Sequence, residues 1–182
     1  DVYKRQEKVI SNSRKNQFSS FDSTKHEIKS SLENAVKSQM ISDVPLGVFL
    51  SGGIDSSLIT AISQSQSNKP IQTFTVGFED QNFDESKYAK QISNYLNTDH
   101  NELIVDEKQV IELIDEIPSI YDEPFADSSQ LPTHLICKAA KTKVTVALSG
   151  DGGDEIFGGY NRYFLAPKIW SNLKYIPKPV RT

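Results

Sequence analysis

The stretch that decides the fold is Leu46-Gly47-Val48-Phe49-Leu50-Ser51-Gly52-Gly53-Ile54-Asp55-Ser56-Ser57. Its first five residues form a short apolar run, which is typical of a strand buried on both faces. The loop that follows contains two adjacent glycines and three serines, and residues 56–66 have the pattern of a helix. A strand, a glycine-rich turn and a helix in this order predict a turn whose main-chain N–H groups approach a ligand closely.

The rest of the chain alternates between helical and strand patterns. Residues 28–40, a segment capped by Asp84, residues 106–118 and residues 131–139 are predicted helices. The predicted strands are 71–76, 103–105 and 144–148. Strands separated by helices indicate an α/β fold, a parallel sheet with helices on both faces in three α/β/α layers. Ligands bind such sheets at the carboxyl ends of strands, so the loops after Leu50, Val76 and Leu148 are the places to look.

The loop 51–57 has the chemistry of an anion site. The helix that follows it presents unpaired N–H groups and a partial positive charge, which suit phosphate or pyrophosphate. The loop has no lysine and no Gly-Lys-Ser/Thr ending, so it is not a Walker A motif. Asp55 lies at its centre, and an aspartate beside phosphates is explained by a magnesium ion between them. A plain strand-to-helix turn capped by serines is the alternative.

A second glycine-rich loop, Ser149-Gly150-Asp151-Gly152-Gly153-Asp154-Glu155, follows the last predicted strand. Carboxylates this close repel one another unless a cation or a positive group of a substrate lies among them. The spacing of an EF-hand calcium loop is absent, and a solvated acidic turn is the alternative. The sequence therefore predicts a second binding loop at the same edge of the sheet.

Together these segments resemble a known family. Ser42-Asp43-Val44-Pro45, the loop 51–57, Thr73-Phe74-Thr75-Val76-Gly77-Phe78 and residues 148–160 occur in the order seen in the synthetase domain of glutamine-dependent asparagine synthetases. That domain belongs to the ATP pyrophosphatase superfamily, with its Ser-Gly-Gly-x-Asp-Ser loop. The resemblance covers roughly residues 24–165. It implies an adenine nucleotide alpha hydrolase-like fold of the HUP type.

The resemblance also implies roles for individual residues. It makes Asp55 and Asp154 the ligands of Mg²⁺ and directs Asp151 towards the substrate or its adenylate. Many relatives have Glu where this chain has Asp151, so the side chain in this protein is shorter by one methylene. The residues implied in ATP binding are Leu50, Ser51, Gly52, Gly53, Asp55, Ser56, Ser57, Val76, Ser149 and Gly150.

The implied reaction is the synthesis of asparagine from aspartate and ammonia with cleavage of ATP to AMP and pyrophosphate. A β-lactam synthetase-like enzyme, another amidotransferase of the superfamily and a non-catalytic nucleotide-binding remnant are the alternatives. The family's glutaminase domain and a later lysine that stabilises the intermediate are not found in the sequence. The chain is therefore expected to be a fragment, inactive by itself, whose parent carries the glutaminase. The sequence decides neither the acceptor acid, nor the source of ammonia, nor the oligomeric state.

Composition excludes some function classes. The formal net charge of −4 over 182 residues disfavours binding to nucleic acid. No apolar run approaches a membrane span and no signal peptide is seen, so a cytoplasmic protein without membrane contact is expected. One cysteine cannot form an internal disulfide, which favours a reducing compartment, and Cys137 is predicted to lie in the core.

The organisation predicted along the chain has three parts. Residues 1–23 are a linker or frayed remnant, residues 24–165 the synthetase domain, and residues 166–182 the start of a truncated segment. Three histidines, His26, His100 and His134, have no metal-ligand spacing and are predicted to lie at the surface or to be hydrogen-bonded. The acidic residues Asp122, Glu123 and Asp127 fit either a plain loop with a helix cap or a wall of the site.

Overall fold

The structure, a computed structural model, describes residues 2–15, 20–79, 84–123 and 127–175. It divides into two compact units, Asp1–Ile41 and Ser42–Thr182. None of the helices in these ranges combines the length and the apolar character that crossing a membrane needs.

The first unit contains two helices, α1 (Val2–Lys15) and α2 (Phe21–Gln39). Ser20 caps α2 because its hydroxyl accepts the N–H of Ser23, and the Ser23 hydroxyl in turn accepts the N–H of Ser20. Helix α1 thus lies within residues 1–23, the segment predicted to be a linker or frayed remnant. The proposal that residues 1–23 lie outside the core stays a prediction.

The second unit is built on a four-stranded parallel sheet among the described residues, in the order β3-β2-β1-β4. Its strands are β1 (Leu46–Phe49), β2 (Gln72–Phe78), β3 (Asp99–Val105) and β4 (Val146–Leu148). Its helices are α3 (Ile54–Ser65), α4 (Ser86–Leu96), α5 (Glu107–Ile120), α6 (Gln130–Ala140), α7 (Gly153–Phe157) and α8 (Asn161–Leu173).

The helices of this unit lie on both faces of the sheet. Alternate side chains of a strand point to opposite faces, so Phe74 and Gly77 of β2 lie on opposite faces of the sheet. Phe74 packs with Ala140 at the end of α6 and with Val144, which follows α6. Gly77 instead faces Asp84 and Ser86 at the start of α4. The predicted three-layer α/β/α architecture is confirmed.

The strand order determines where a ligand can bind. The chain passes from β1 to β2 and β3 on one side and then returns to place β4 on the other side of β1. Because β1 and β4 are parallel neighbours, the loops after them lie side by side at the carboxyl edge of the sheet, where α/β proteins bind ligands. Val76 was predicted to end the second strand, but β2 continues two residues further to Phe78 because it pairs with β3 up to Val105.

Candidate functional site

A cavity of about 1080 Å³ opens at the carboxyl ends of β1, β2 and β4. Both glycine-rich loops contribute to its walls, together with the end of β2, Glu85 immediately before α4 and the first two turns of α6. Its volume is slightly above the usual range of small-molecule sites, about 300–1,000 Å³. The lining residues are Phe49, Ser51, Gly53, Ile54, Asp55, Ser56, Thr75, Val76, Phe78, Glu85, Pro132, Thr133, Ile136, Ser149, Gly150, Asp151, Gly152, Gly153, Asp154, Glu155, Phe157, Gly159 and Tyr160.

The first loop is held by its own serines. The Ser56 hydroxyl donates to the carbonyl of Gly53 (3.2 Å), accepts the N–H of Ser51 (3.2 Å) and lies 3.0 Å from the Ser51 hydroxyl. Gly53 is the N-cap of α3 and has no side chain to cap it. The first N–H groups of α3 are consequently left for a ligand, and Ile54, Asp55 and Ser56 line the cavity.

The second loop turns tightly at Gly152, whose φ of +90° is strained for residues with a Cβ. The N–H of Gly153 donates to the carbonyl of Gly150 (3.3 Å). The N–H of Asp151 donates to the Ser149 hydroxyl (3.1 Å). These bonds fold the loop back on itself, so that Asp151 and Asp154 both reach the cavity wall.

The two loops touch each other, and glycine is what allows it. A Cβ on Gly150 would lie 2.8 Å from the main-chain nitrogen of Ser56 and 3.0 Å from the carbonyl carbon of Asp55. A Cβ on Gly153 would lie 2.6 Å from the carboxyl carbon of Asp55. The second loop thus lies directly against the first turn of α3, and the two loops form one site.

Most of the residues predicted for the site line this cavity, and three do not. Leu50 has no exposed surface, because it lies in the core of the sheet and its N–H donates to the carbonyl of Phe74 (2.8 Å). Gly52 has a φ of +88° and lies against Tyr88 and Ala89 of α4. The Ser57 hydroxyl donates to the carbonyl of Gly53. The predicted residues in the cavity wall are Ser51, Gly53, Asp55, Ser56, Val76, Ser149, Gly150, Asp151 and Asp154.

The donors suit a magnesium ion that is shared with phosphates. Asp55 and Asp154 line the same cavity, and the Asp55 carboxylate lies against Gly153, the residue before Asp154. Within the described ranges no three His, Cys, Asp or Glu residues cluster closely enough to form a metal cage. Mg²⁺ commonly takes only one or two carboxylates and completes its shell with water and substrate phosphates, so this donor set fits the ion.

Glu155, the last residue of the second loop, and Tyr160 form a hydrogen-bonded bridge in the cavity wall that the sequence did not predict. The Tyr160 hydroxyl donates to the Glu155 carboxylate (2.6 Å), and the guanidinium of Arg162 lies 4.2 Å from the centre of the Tyr160 ring. This hydrogen bond raises the pKa of Tyr160 to about 12 and lowers the pKa of Glu155. The hydrogen bond requires a protonated phenol and an ionised carboxylate. It therefore opposes loss of the proton from Tyr160 and uptake of a proton by Glu155.

Glu155→Ala should return the pKa of Tyr160 towards its ordinary value of 10.0. An alkaline titration followed by tyrosine ultraviolet absorbance measures this, with circular dichroism recorded alongside to confirm the fold. We expect the wild-type chain to show one late-titrating tyrosine that is missing from both Glu155→Ala and Tyr160→Phe. Glu79→Ala, at an exposed position outside the cavity wall, is the control and should titrate like the wild type. An unchanged titration in Glu155→Ala would contradict the bridge.

Other residues considered from the sequence lie elsewhere. Asp122, Glu123 and Asp127 are exposed and are not among the residues that line the cavity. Asp127 accepts the N–H of Ser129 (2.9 Å), which lowers the pKa of its carboxyl. Cys137 is exposed, so its predicted core position is wrong: it lies on the outer face of α6.

The histidines follow their prediction only in part. His26 is exposed and His134 is half-buried. His100 pairs through Nδ1 with the Thr73 hydroxyl (3.0 Å), but its Nε2 is buried and has no hydrogen-bond partner in the described part of the chain. Burial accordingly lowers the pKa of His100.

Comparison with known proteins shows which family has this arrangement. The sequence model of the family described as asparagine synthase matches residues 27–181. A putative glutamine-hydrolysing asparagine synthetase 2 of Methanocaldococcus jannaschii is 47% identical over 133 residues, which are 72% of this chain and 26% of the relative. Asparagine synthetase 1 of Bacillus subtilis, also glutamine-hydrolysing, is 40% identical over 137 residues, 75% of this chain and 22% of the relative.

A further relative has a lower identity, and a solved structure shares the fold alone. Asparagine synthetase B of Escherichia coli K12 is 32% identical over 161 residues, covering 79% of this chain and 28% of the relative. The chain thus spans about a quarter of the length of these curated relatives. The NH3-dependent NAD synthetase of Campylobacter jejuni shares the fold, with a TM-score of 0.51 at 14% identity over 75% of this chain and 60% of that one.

Proposed function

This chain belongs to the asparagine synthase family, and on that premise we propose that it is the nucleotide-binding part of an ATP-dependent ligase that forms the amide of asparagine. The observation that carries the proposal is the contact between the two loops, where Gly150 and Gly153 lie against the first turn of α3. This contact joins unpaired main-chain donors and two carboxylates in one cavity, which is the equipment for binding a triphosphate with a cation.

In this proposal the phosphates of ATP lie at the start of α3. Ile54, Asp55 and Ser56 line the cavity at the positive end of the helix, where the first N–H groups have no partner within the helix. Ser51 and Ser149 add hydroxyl groups from the two loops. These donors are positioned before the ligand arrives, so they can stabilise the charge that develops on the departing pyrophosphate with little reorganisation.

Asp55 and Asp154 are the residues that would hold Mg²⁺. When bound, the ion neutralises charge on the phosphate oxygens and favours departure of pyrophosphate. The role of the protein residues is to keep the two carboxylates at one wall. Gly153 does this for Asp55 by leaving room for its carboxylate.

The proposed chemistry has two steps. An oxygen of the aspartate side-chain carboxylate forms a bond to the α-phosphorus of ATP, and the bond to the bridging oxygen of pyrophosphate breaks. Ammonia then attacks the carbonyl carbon of the β-aspartyl adenylate, loses a proton and expels AMP, leaving asparagine. Asp151, exposed in the cavity wall, faces the acceptor acid in this arrangement. The contribution of the residues is positioning and charge stabilisation.

The proposal extends to the protein in which these residues work. The relatives that it matches are glutamine-hydrolysing enzymes roughly three times as long, so we propose a parent chain with a glutaminase part that supplies ammonia. The substrates would be small molecules, with no role for nucleic acid or a membrane surface. A cytoplasmic location is part of the same proposal.

The experiment is to measure pyrophosphate release by the parent enzyme with ATP, Mg²⁺ and ammonia, with and without aspartate. We expect release to depend on aspartate and to be accompanied by asparagine in equal amount. Release that requires a different carboxylic acid would move the function to a β-lactam synthetase-like or other amidotransferase reaction. No release with any acid would leave a non-catalytic nucleotide-binding protein and would contradict the ligase proposal.

A further inference from the structure

Resting on the proposed ATP site, we propose that Thr75 and Glu85 form a wall that recognises the ribose hydroxyls of the nucleotide. Both residues line the cavity, on the side of the sheet covered by α3 and α4. The sequence pattern assigns neither of them a role, and both lie outside the two glycine-rich loops.

The start of α4 is held against the site by two glycines. A Cβ on Gly52, in the first loop, would lie 2.8 Å from Cβ of Tyr88 and 2.9 Å from the nitrogen of Ala89. A Cβ on Gly77, near the end of β2, would lie 2.8 Å from Cβ of Ser86. The first turn of α4 is therefore wedged between the phosphate loop and β2, and this places Glu85 at the cavity beside the predicted phosphates.

Thr75 is a buried hydroxyl residue that lacks a partner. Only 3% of its surface is exposed, yet it belongs to the cavity wall, and no hydrogen bond to its hydroxyl is found among the described residues. The neighbouring buried threonines differ: the Thr73 hydroxyl pairs with Thr98 (2.9 Å) and the Thr60 hydroxyl with the carbonyl of Ser56 (2.7 Å). A buried hydroxyl left unpaired is costly, and one that opens on a cavity is explained by a ligand that bonds to it.

The unpaired hydroxyl keeps contact with the cavity. In the described ranges, the fully buried side-chain oxygen and nitrogen atoms without a hydrogen-bond partner are Ser63 Oγ and His100 Nε2. The Thr75 hydroxyl also has no partner there but is not one of these atoms, so it is not fully buried. Phe49 of β1 pairs with Phe74 of β2, so the next residues, Leu50 and Thr75, lie side by side. Leu50 directly precedes the first loop. A group bonded to Thr75 is therefore next to the phosphates held by Ser51–Ser56.

Glu85 is free to accept a hydrogen bond from a ligand. It occupies the N-cap position of α4 but has helical φ and ψ angles and makes no capping bond. The carboxylate of Asp84 takes that role instead by accepting the N–H of Ser86 (3.0 Å), and this bond lowers the pKa of Asp84. A carboxylate repels phosphate, whereas it accepts strongly from hydroxyl groups.

The opposite wall has a different character. Phe49, Val76, Phe78, Pro132 and Ile136 give it an apolar surface that suits a flat purine. With the phosphates at the loops and the base against this surface, the sugar lies on the side of Thr75 and Glu85. One hydroxyl and one carboxylate there match the two neighbouring hydroxyls of ribose, the groups that an acidic residue recognises in other nucleotide folds.

The test compares ligands that differ only in the sugar. Titration calorimetry on the parent enzyme, with Mg²⁺, measures the affinity for ATP, 2′-deoxy-ATP, 3′-deoxy-ATP and inorganic tripolyphosphate. We expect the wild type to bind at least one deoxy analogue about 10-fold more weakly than ATP, since a hydrogen bond to a charged group is lost. In Glu85→Gln and Thr75→Val this ratio should fall to about 2-fold or less, with tripolyphosphate affinity unchanged.

Controls separate the inference from the proposed function. Glu79→Gln, which changes an exposed carboxylate outside the cavity wall, should keep the wild-type ratio, and Thr75→Ser should restore it if Thr75→Val is unstable. If the wild type binds ATP and both deoxy analogues equally, Thr75 and Glu85 do not recognise the ribose, whereas the proposed ATP site is unaffected. Retained discrimination in both Glu85→Gln and Thr75→Val overturns it as well. Failure to bind ATP and tripolyphosphate alike overturns the proposed function itself.

Discussion

Asp55→Ala is expected to reduce magnesium-dependent pyrophosphate release by the parent enzyme roughly 1000-fold or more. The side chain lies at the junction of the two loops, with its carboxylate against Gly153 and the cavity in front of it. Without it, one of the two carboxylates proposed to hold Mg²⁺ is lost, and charge on the departing pyrophosphate loses several kcal/mol of stabilisation. Each ~1.4 kcal/mol corresponds to a factor of ten in rate.

The measurement is initial rate against Mg²⁺ concentration, with the thermal melting of the variant recorded in parallel. Asp115→Ala is a suitable control because Asp115 is exposed on α5 and lies outside the cavity wall. It should retain the wild-type rate. An Asp55→Ala enzyme that melts normally and releases pyrophosphate at the wild-type rate would remove the basis for the magnesium assignment.

The sequence predicted the parts of this site that depend on local chain chemistry. The apolar run before Ser51 and the glycines after it are sufficient to predict a strand, a tight turn and a helix. The parallel order of the strands then requires the loops after β1 and β4 to meet at one edge. For this reason Asp55, Asp151 and Asp154 could all be expected in one cavity, and the structure places all three in its wall.

What the sequence missed depends on packing between elements distant in the chain. Glu85 reaches the cavity wall because α4 packs against Gly52 and Gly77, a contact that has no local signal, and Thr75 carries no motif that would mark it. Leu50 was expected at the nucleotide, but the core of the sheet covers it completely. Pro118 was expected to end its helix, yet α5 continues to Ile120, because a proline in the last turn removes only one of the helix hydrogen bonds.

Gly150→Ala tests the contact on which the proposed function depends. The new methyl group would lie 2.8 Å from the main-chain nitrogen of Ser56 and 3.0 Å from the carbonyl carbon of Asp55, and main-chain atoms cannot rotate away as a flexible side chain can. The second loop and the first turn of α3 must separate. We expect a loss of about 1–3 kcal/mol in the free energy of unfolding, which is typical of overpacking. The melting temperature should fall by roughly 3–10 °C.

The same separation should lower pyrophosphate release by about 100-fold, since displacements near 1 Å have effects of that size on reactions that depend on positioning. Gly53→Ala is the matched control for stability. A Cβ at Gly53 meets only the Ser51 hydroxyl, at 3.4 Å, and the residue has a φ of −70° that alanine adopts readily. Its unfolding free energy should change by less than about 1 kcal/mol, the usual effect of a changed helix cap. If Gly150→Ala melts and reacts like the wild type, the two loops do not touch in solution, and the residues they bring together cannot act as a single site.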